Sequence, residues 1–127
     1  MKITRIHQLA VHVHDLDEAV SFYETVLQAK FIGRFDPPGL AFFDFSGVRL
    51  LLEKGSPNAT IYFWVDDIDF AYAELVEKGI SFTSEPQLIN RDGVGLFGEP
   101  NQEEWMAFFN DPSGNTLAIA SRKKNEL

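Results

Sequence analysis

The chain contains no cysteine, which removes disulfides, thiolate metal sites and cysteine nucleophiles at once and suits a reducing cytoplasm. It also lacks any apolar run approaching the ~20 residues that cross a bilayer. Its opening, Met1-Lys2-Ile3-Thr4-Arg5, has no signal-peptide character. Positive charge is scarce: 11 Lys and Arg stand against 19 Asp and Glu, for a formal net charge of −8. The deficit is uneven, with residues 1–56 near −1 and residues 57–127 near −7. Such a surface repels phosphate backbones and anionic lipid, so neither nucleic acid nor a membrane is expected as a partner. It would favour a cationic ligand, although keeping a small protein soluble accounts for the charge more simply.

What is present fits a single domain over residues 1–127, with 45% hydrophobic and 24% charged residues. Two segments superpose with a shift of 52: Val13-His14-Asp15-Leu16-Asp17-Glu18-Ala19 matches Val65-Asp66-Asp67-Ile68-Asp69-Phe70-Ala71. An alternating run precedes each. Leu9, Val11 and Val13 oppose Gln8, Ala10 and His12, as Ile61, Phe63 and Val65 oppose Thr60, Tyr62 and Trp64, so each run reads as a two-faced strand. A helix should follow each strand. Asp15 to Glu18 makes a capping box, Ala19, Phe22, Tyr23, Val26 and Leu27 recur at helical spacing, and Gly79 is placed to end the second helix.

A second echo, at a shift of 67, relates Phe42–Gly47 to Phe109–Gly114, where Asp111-Pro112-Ser113-Gly114 is a turn signal. The predicted strands are Lys30–Phe35, Leu40–Phe45, Arg49–Glu53, Ile80–Thr83, Trp105–Phe109 and Thr116–Ala120. Glu85–Glu104 holds three glycines and two prolines and reads as a long loop, with room for a short strand at its start.

Gln8 on the first strand, then Val13-His14-Asp15-Leu16, Phe22-Tyr23, Val26-Leu27 and Asp111-Pro112-Ser113-Gly114-Asn115 follow in order over nearly the whole chain. This succession resembles the vicinal oxygen chelate superfamily, which includes glyoxalase I, bleomycin-resistance proteins, methylmalonyl-CoA epimerase and extradiol dioxygenases. Gln28 departs from the glycine that usually ends the first helix there. The resemblance implies an α+β fold. Two tandem βαβββ modules, about residues 1–56 and 57–127, would form a curled mixed sheet around a cup, with the helices outside. It also implies a homodimer, and it leaves open whether the chain is an enzyme or a plain binder.

Enzymes of that family hold a divalent metal at four strand positions, which the resemblance carries onto Gln8, Leu51, Thr60 and Ala118. Leu51 and Ala118 offer no lone pair, and Thr60 only a hydroxyl, so no metal or other cofactor is expected. His12 and His14 share a parity and, with Glu53, are an atypical alternative for a metal; His7 faces the other way. His12 alone reads equally as an acid–base group or a polar wall residue. Arg49 and Glu53 would pair with each other, and Glu103 and Glu104 would form a solvated edge. The expected ligand-binding wall is Gln8, His12, Arg49, Leu51, Glu53, Thr60, Tyr62, Trp64, Thr116 and Ala118, with Ala10 among them and Trp105 closing over a ligand or filling a dimer seam. Tyr62 and Trp64 on an uncovered face suit an apolar or aromatic small molecule. The reading is therefore a metal-free binder, with a metal-dependent lyase, isomerase or dioxygenase as the alternative.

Overall fold

The computed structural model describes residues 1–54, 59–110 and 115–125. The Asp111-Pro112-Ser113-Gly114 turn and the 56/57 module boundary lie outside the described residues. The chain divides into two compact units, one of His7–Ile61 and one of Met1–Ile6 with Tyr62–Leu127. Residues 1–6 go with the later unit because the Thr4 amide donates to the Trp64 carbonyl at 3.3 Å. Each unit carries the strand, helix and three further strands expected of an α+β repeat.

In the His7–Ile61 unit, β1 (Arg5–His12) is followed by α1 (Leu16–Ser21), β2 (Lys30–Phe35), β3 (Leu40–Phe45) and β4 (Val48–Glu53). The strand order is β2-β3-β4-β1. β1 and β4 run parallel, whereas the other pairs are antiparallel, so the sheet is mixed. Ser46 and Gly47, both at positive φ, turn β3 into β4 in the two-residue manner that suits the strand twist. The Asp15 carboxylate caps α1 by accepting from the Glu18 amide at 3.1 Å. Leu16, Ala19, Val20 and Tyr23 then cover Val11, Val13, Ala41, Phe43, Leu50 and Leu52, which alternation places on one sheet face.

The helical spacing misleads past Ser21. Phe22–Val26 is a π-helical segment, in which the Leu27 amide reaches the Phe22 carbonyl five residues back at 3.2 Å. The wider turn slips the apolar positions out of line. Tyr23 stays on the core, but Phe22, Val26 and Leu27 are exposed. Gln28 ends the segment in the left-handed region, φ 55°, as the missing glycine implied.

The other unit holds β5 (Thr60–Trp64), α2 (Ile68–Glu77), β6 (Gln87–Asp92), β7 (Gln102–Asn110) and β8 (Thr116–Lys124), in the order β5-β8-β7-β6. Asp67 caps α2 through the amides of Asp69 and Phe70, and Gly79 at φ 96° ends it. Val65, Ile68, Ala71, Ala107 and Ile119 form its buried core. Ile80–Thr83 is not a strand: Phe82 makes only an isolated bridge to Phe109. The strand before β7 is instead β6, inside the stretch read as a loop. Its Gly- and Pro-rich flanks and polar residues hide a strand interrupted at Ile89: Leu88 pairs with Trp105 on the α2 side, whereas Asn90 and Asp92 pair with Glu104 and Gln102 on the other. The irregular part shrinks to residues 93–101.

Candidate functional site

In each unit the helix covers one face of the strands, and the expected wall residues lie on the helix-free side of their own unit. In the His7–Ile61 unit, the parallel register sets Gln8 opposite Arg49, Ala10 opposite Leu51 and His12 opposite Glu53. Phe42 and Asp44 continue that face on β3, where they lie beside Leu51 and Arg49. Gln8, Ala10, Phe42, Arg49, Leu51 and Thr60 are all buried. The Arg49 Nε–H donates to the Gln8 Oε1, and the guanidinium carbon stands 5.3 Å from the centroid of the Phe42 ring. The expected Arg49–Glu53 pair is replaced by this bond. Glu53 sits four residues farther along β4, about 13 Å at the usual strand rise. Asp44, across from Arg49 on β3, accepts the Gly47 amide at 3.1 Å.

His12 is exposed, and its ring meets that of exposed His14 edge-on at 5.0 Å. Glu53 is half-buried. Among the described residues, no three His, Cys, Asp or Glu side chains are grouped to hold a metal, so the His12–His14–Glu53 alternative is not assembled.

In the other unit, Tyr62 is buried and packs edge-on against Phe108 at 5.8 Å. Trp64 is half-buried, with the Arg5 guanidinium 4.8 Å from its ring. Ala118 pairs with Phe108 and Thr116 with Asn110, which puts both on the face that also bears Met106 and Ala120. Trp105 is on the opposite side. Alternation along β7 turns it to the α2 core with Val65 and Ile68, where the Lys123 ammonium lies 4.4 Å from the ring. It is a packing residue, and Lys123 covers it. Glu104 is not a solvated edge either: it is buried at 3%, directly opposite Arg122 of β8.

Sequence reasoning missed the strongest polar cluster of this face. Asp92, at the end of β6, accepts from Arg122 Nη2 at 2.8 Å and from the amides of Leu96 and Phe97 at 2.7 and 2.9 Å. Arg122 Nη2 also donates to the Glu99 carbonyl at 3.3 Å. Burial pushes the Asp92 carboxyl up, but the Arg122 bond and the two amides outweigh it and hold the group below its ordinary value of 3.8. Glycine is required at 95: at φ 78°, a Cβ there would lie 2.8 Å from the Gly98 carbonyl oxygen. Residues 93–101 are thus wrapped on a buried ion pair. The signal available was the parity of Arg122, four residues past Ala118 on the same strand.

Two βαβββ units, each with a helix-covered face and a face bearing buried polar and aromatic groups, define a duplicated α+β class of protein. The chain belongs to the Glyoxalase/Bleomycin resistance protein/Dioxygenase superfamily, whose model matches residues 5–119. Solved structures share the fold at low identity. A hypothetical protein from Bacillus halodurans C-125 is 18% identical with TM-score 0.75, covering 94% of this chain and 95% of its own. Streptomyces coelicolor methylmalonyl-CoA epimerase, in complex with 2-nitronate-propionyl-CoA, is 18% identical with TM-score 0.73 over the same shares. A superfamily member from Vibrio splendidus 12B01 is 14% identical with TM-score 0.69, covering 91% of this chain and 96% of its own. No curated protein matches the sequence.

The residues at the superfamily's metal positions do not fit a divalent ion. Leu51 and Ala118 have no donor atom, Thr60 has a hydroxyl, and the one carbonyl oxygen, on Gln8, already accepts from a guanidinium cation. A metal there would sit beside a like charge in a buried setting.

Proposed function

We propose that the chain is a metal-free small-molecule-binding protein of the glyoxalase/bleomycin-resistance type. It holds an apolar or aromatic ligand on the helix-free sheet face that carries Gln8 and Arg49. The observation that carries this reading is the engagement of Gln8 Oε1 by Arg49. The net charge of −8 would favour a cationic group elsewhere on such a ligand, away from the Arg49 guanidinium. A second reading, a metal-dependent lyase, isomerase or dioxygenase, draws support from the likeness to methylmalonyl-CoA epimerase. Titration with nickel, zinc and manganese separates the two, because a ligand of the folded state raises its melting temperature by mass action. No saturable shift is expected. A large saturable shift that Gln8→Ala abolishes would establish the metal-dependent reading instead.

The proposal includes a homodimer. Phe22, Val26, Leu27 and Phe31 leave a cluster of exposed apolar side chains that a second copy would cover. Sedimentation equilibrium should show a dimer at roughly tens of micromolar, where an interface of standard size holds. Monomer alone at that concentration would remove it. Among the described residues, no helix is long and apolar enough to cross a membrane.

A further inference from the structure

We infer that the Gln8 side-chain amide, oriented by Arg49, is a hydrogen-bond donor for a carbonyl or carboxylate oxygen of the ligand. This deepens the metal-free reading and rests on it. A guanidinium only donates, so the group it meets on Gln8 must be the oxygen. That fixes which end of the amide is left. The Nε2 end, with two N–H donors, is not among the enclosed unpartnered atoms of the described residues, so the small part of Gln8 that stays exposed, 2%, includes that end.

Donors that reach the surface of an otherwise buried side chain are available to water or to an acceptor on a ligand. Gln8 cannot turn over to present its oxygen without placing N–H against the Arg49 N–H. The face is thus built to donate at the position where metal enzymes of the superfamily have a Lewis acid. Both arrangements select an oxygen ligand; here the selector is the amide N–H pair. The Arg49 charge raises the donor strength of the amide it polarises and favours a carboxylate over an ammonium at close range. The overall acidity of the chain acts through screened solvent and is weaker at this distance.

The test uses three probes of one size, benzoate, toluene and benzylamine, on the full chain in chelator, read by thermal shift and calorimetry. Benzoate is expected to bind saturably, more tightly than either of the others. Gln8→Met removes the donors, and Gln8→Glu removes them while leaving Arg49 an acceptor; each should weaken benzoate by roughly tenfold or more, the worth of a charge-assisted hydrogen bond. In the wild-type protein, needing no variant, the Gln8 side-chain amide signals should move in a nitrogen-15 NMR titration with benzoate. Toluene binding without benzoate binding overturns the inference while the binder reading stands. Benzylamine binding more tightly than benzoate, or Gln8 signals unmoved at saturation, also overturns it. Saturable nickel binding in chelator-free buffer overturns the metal-free reading on its own.

Discussion

Asp92→Asn should lower stability by about 3 kcal/mol at neutral pH, the usual cost of removing one partner from a buried ion pair. The asparagine keeps the shape but removes the carboxylate bonded to the Arg122 guanidinium, whose side chain is 9% exposed. Nε of Arg122 is already enclosed with no hydrogen-bond partner among the described residues, so the loss falls on a group that is under-satisfied to begin with. Urea unfolding gives the number, and hydrogen exchange should show the amides of Leu96 and Phe97 losing protection. The pH dependence has a definite sign. A carboxyl held low in the folded state stabilises fully above its unfolded value and loses that contribution as pH falls through the folded one. Stability of the wild-type chain should therefore drop in the acid range below the ordinary aspartate value, whereas the Asp92→Asn protein lacks that component. Equal acid sensitivity of the two would show that Asp92 is not ionised in the fold.

Phe43→Ala should cost about 3–5 kcal/mol, since a phenylalanine removed from a closed core leaves a cavity the surroundings fill only in part. Phe43 is fully buried, with the Tyr23 ring at 5.8 Å and the Phe31 ring at 5.6 Å. Its loss takes away the contact through which the π-helical segment meets β3. For a chain of this size the melting temperature should fall by roughly 10–20 °C, a large share of the ~5–15 kcal/mol that holds small proteins folded. Phe22→Ala, one residue from Tyr23 but exposed, is the internal comparison and should cost the folded chain far less than Phe43→Ala, its effect falling on the proposed dimer instead. A Phe43→Ala protein melting within a few degrees of wild type would mean the core around Leu16 and Leu52 is looser than its burial indicates.

The repeat made most of the fold legible. Asp15 and Asp67 announce two helix starts through the same side-chain chemistry, and both cap as that chemistry dictates. Strand β6 was hidden because Asn90, Arg91 and Asp92 are poor strand formers, and only pairing with β7 fixes them. The parity of Gln8, Arg49 and Leu51 was readable, but Arg49's partner was not. Alternation says which face a side chain takes; register says which neighbour it meets, and register between β1 and β4 is set by the crossover through α1. Asp92 and Arg122 are separated by 30 residues and by the whole of β7, so no local pattern joins them. Trp105 was given no side, because no alternation was read through it; the strand that extends back to Gln102 supplies that parity.

The outermost strands, β2 in one unit and β6 in the other, each break register at one residue: Ile32 is the extra residue between Phe31 and Gly33, and Ile89 between Leu88 and Asn90. The two isoleucines stand in corresponding places of the duplicated unit, so the irregularity belongs to the repeat rather than to either half. A bulge bends its strand and interrupts the ladder of backbone groups that another chain could copy. At each of these two strands the break removes part of the backbone template that strand addition would copy.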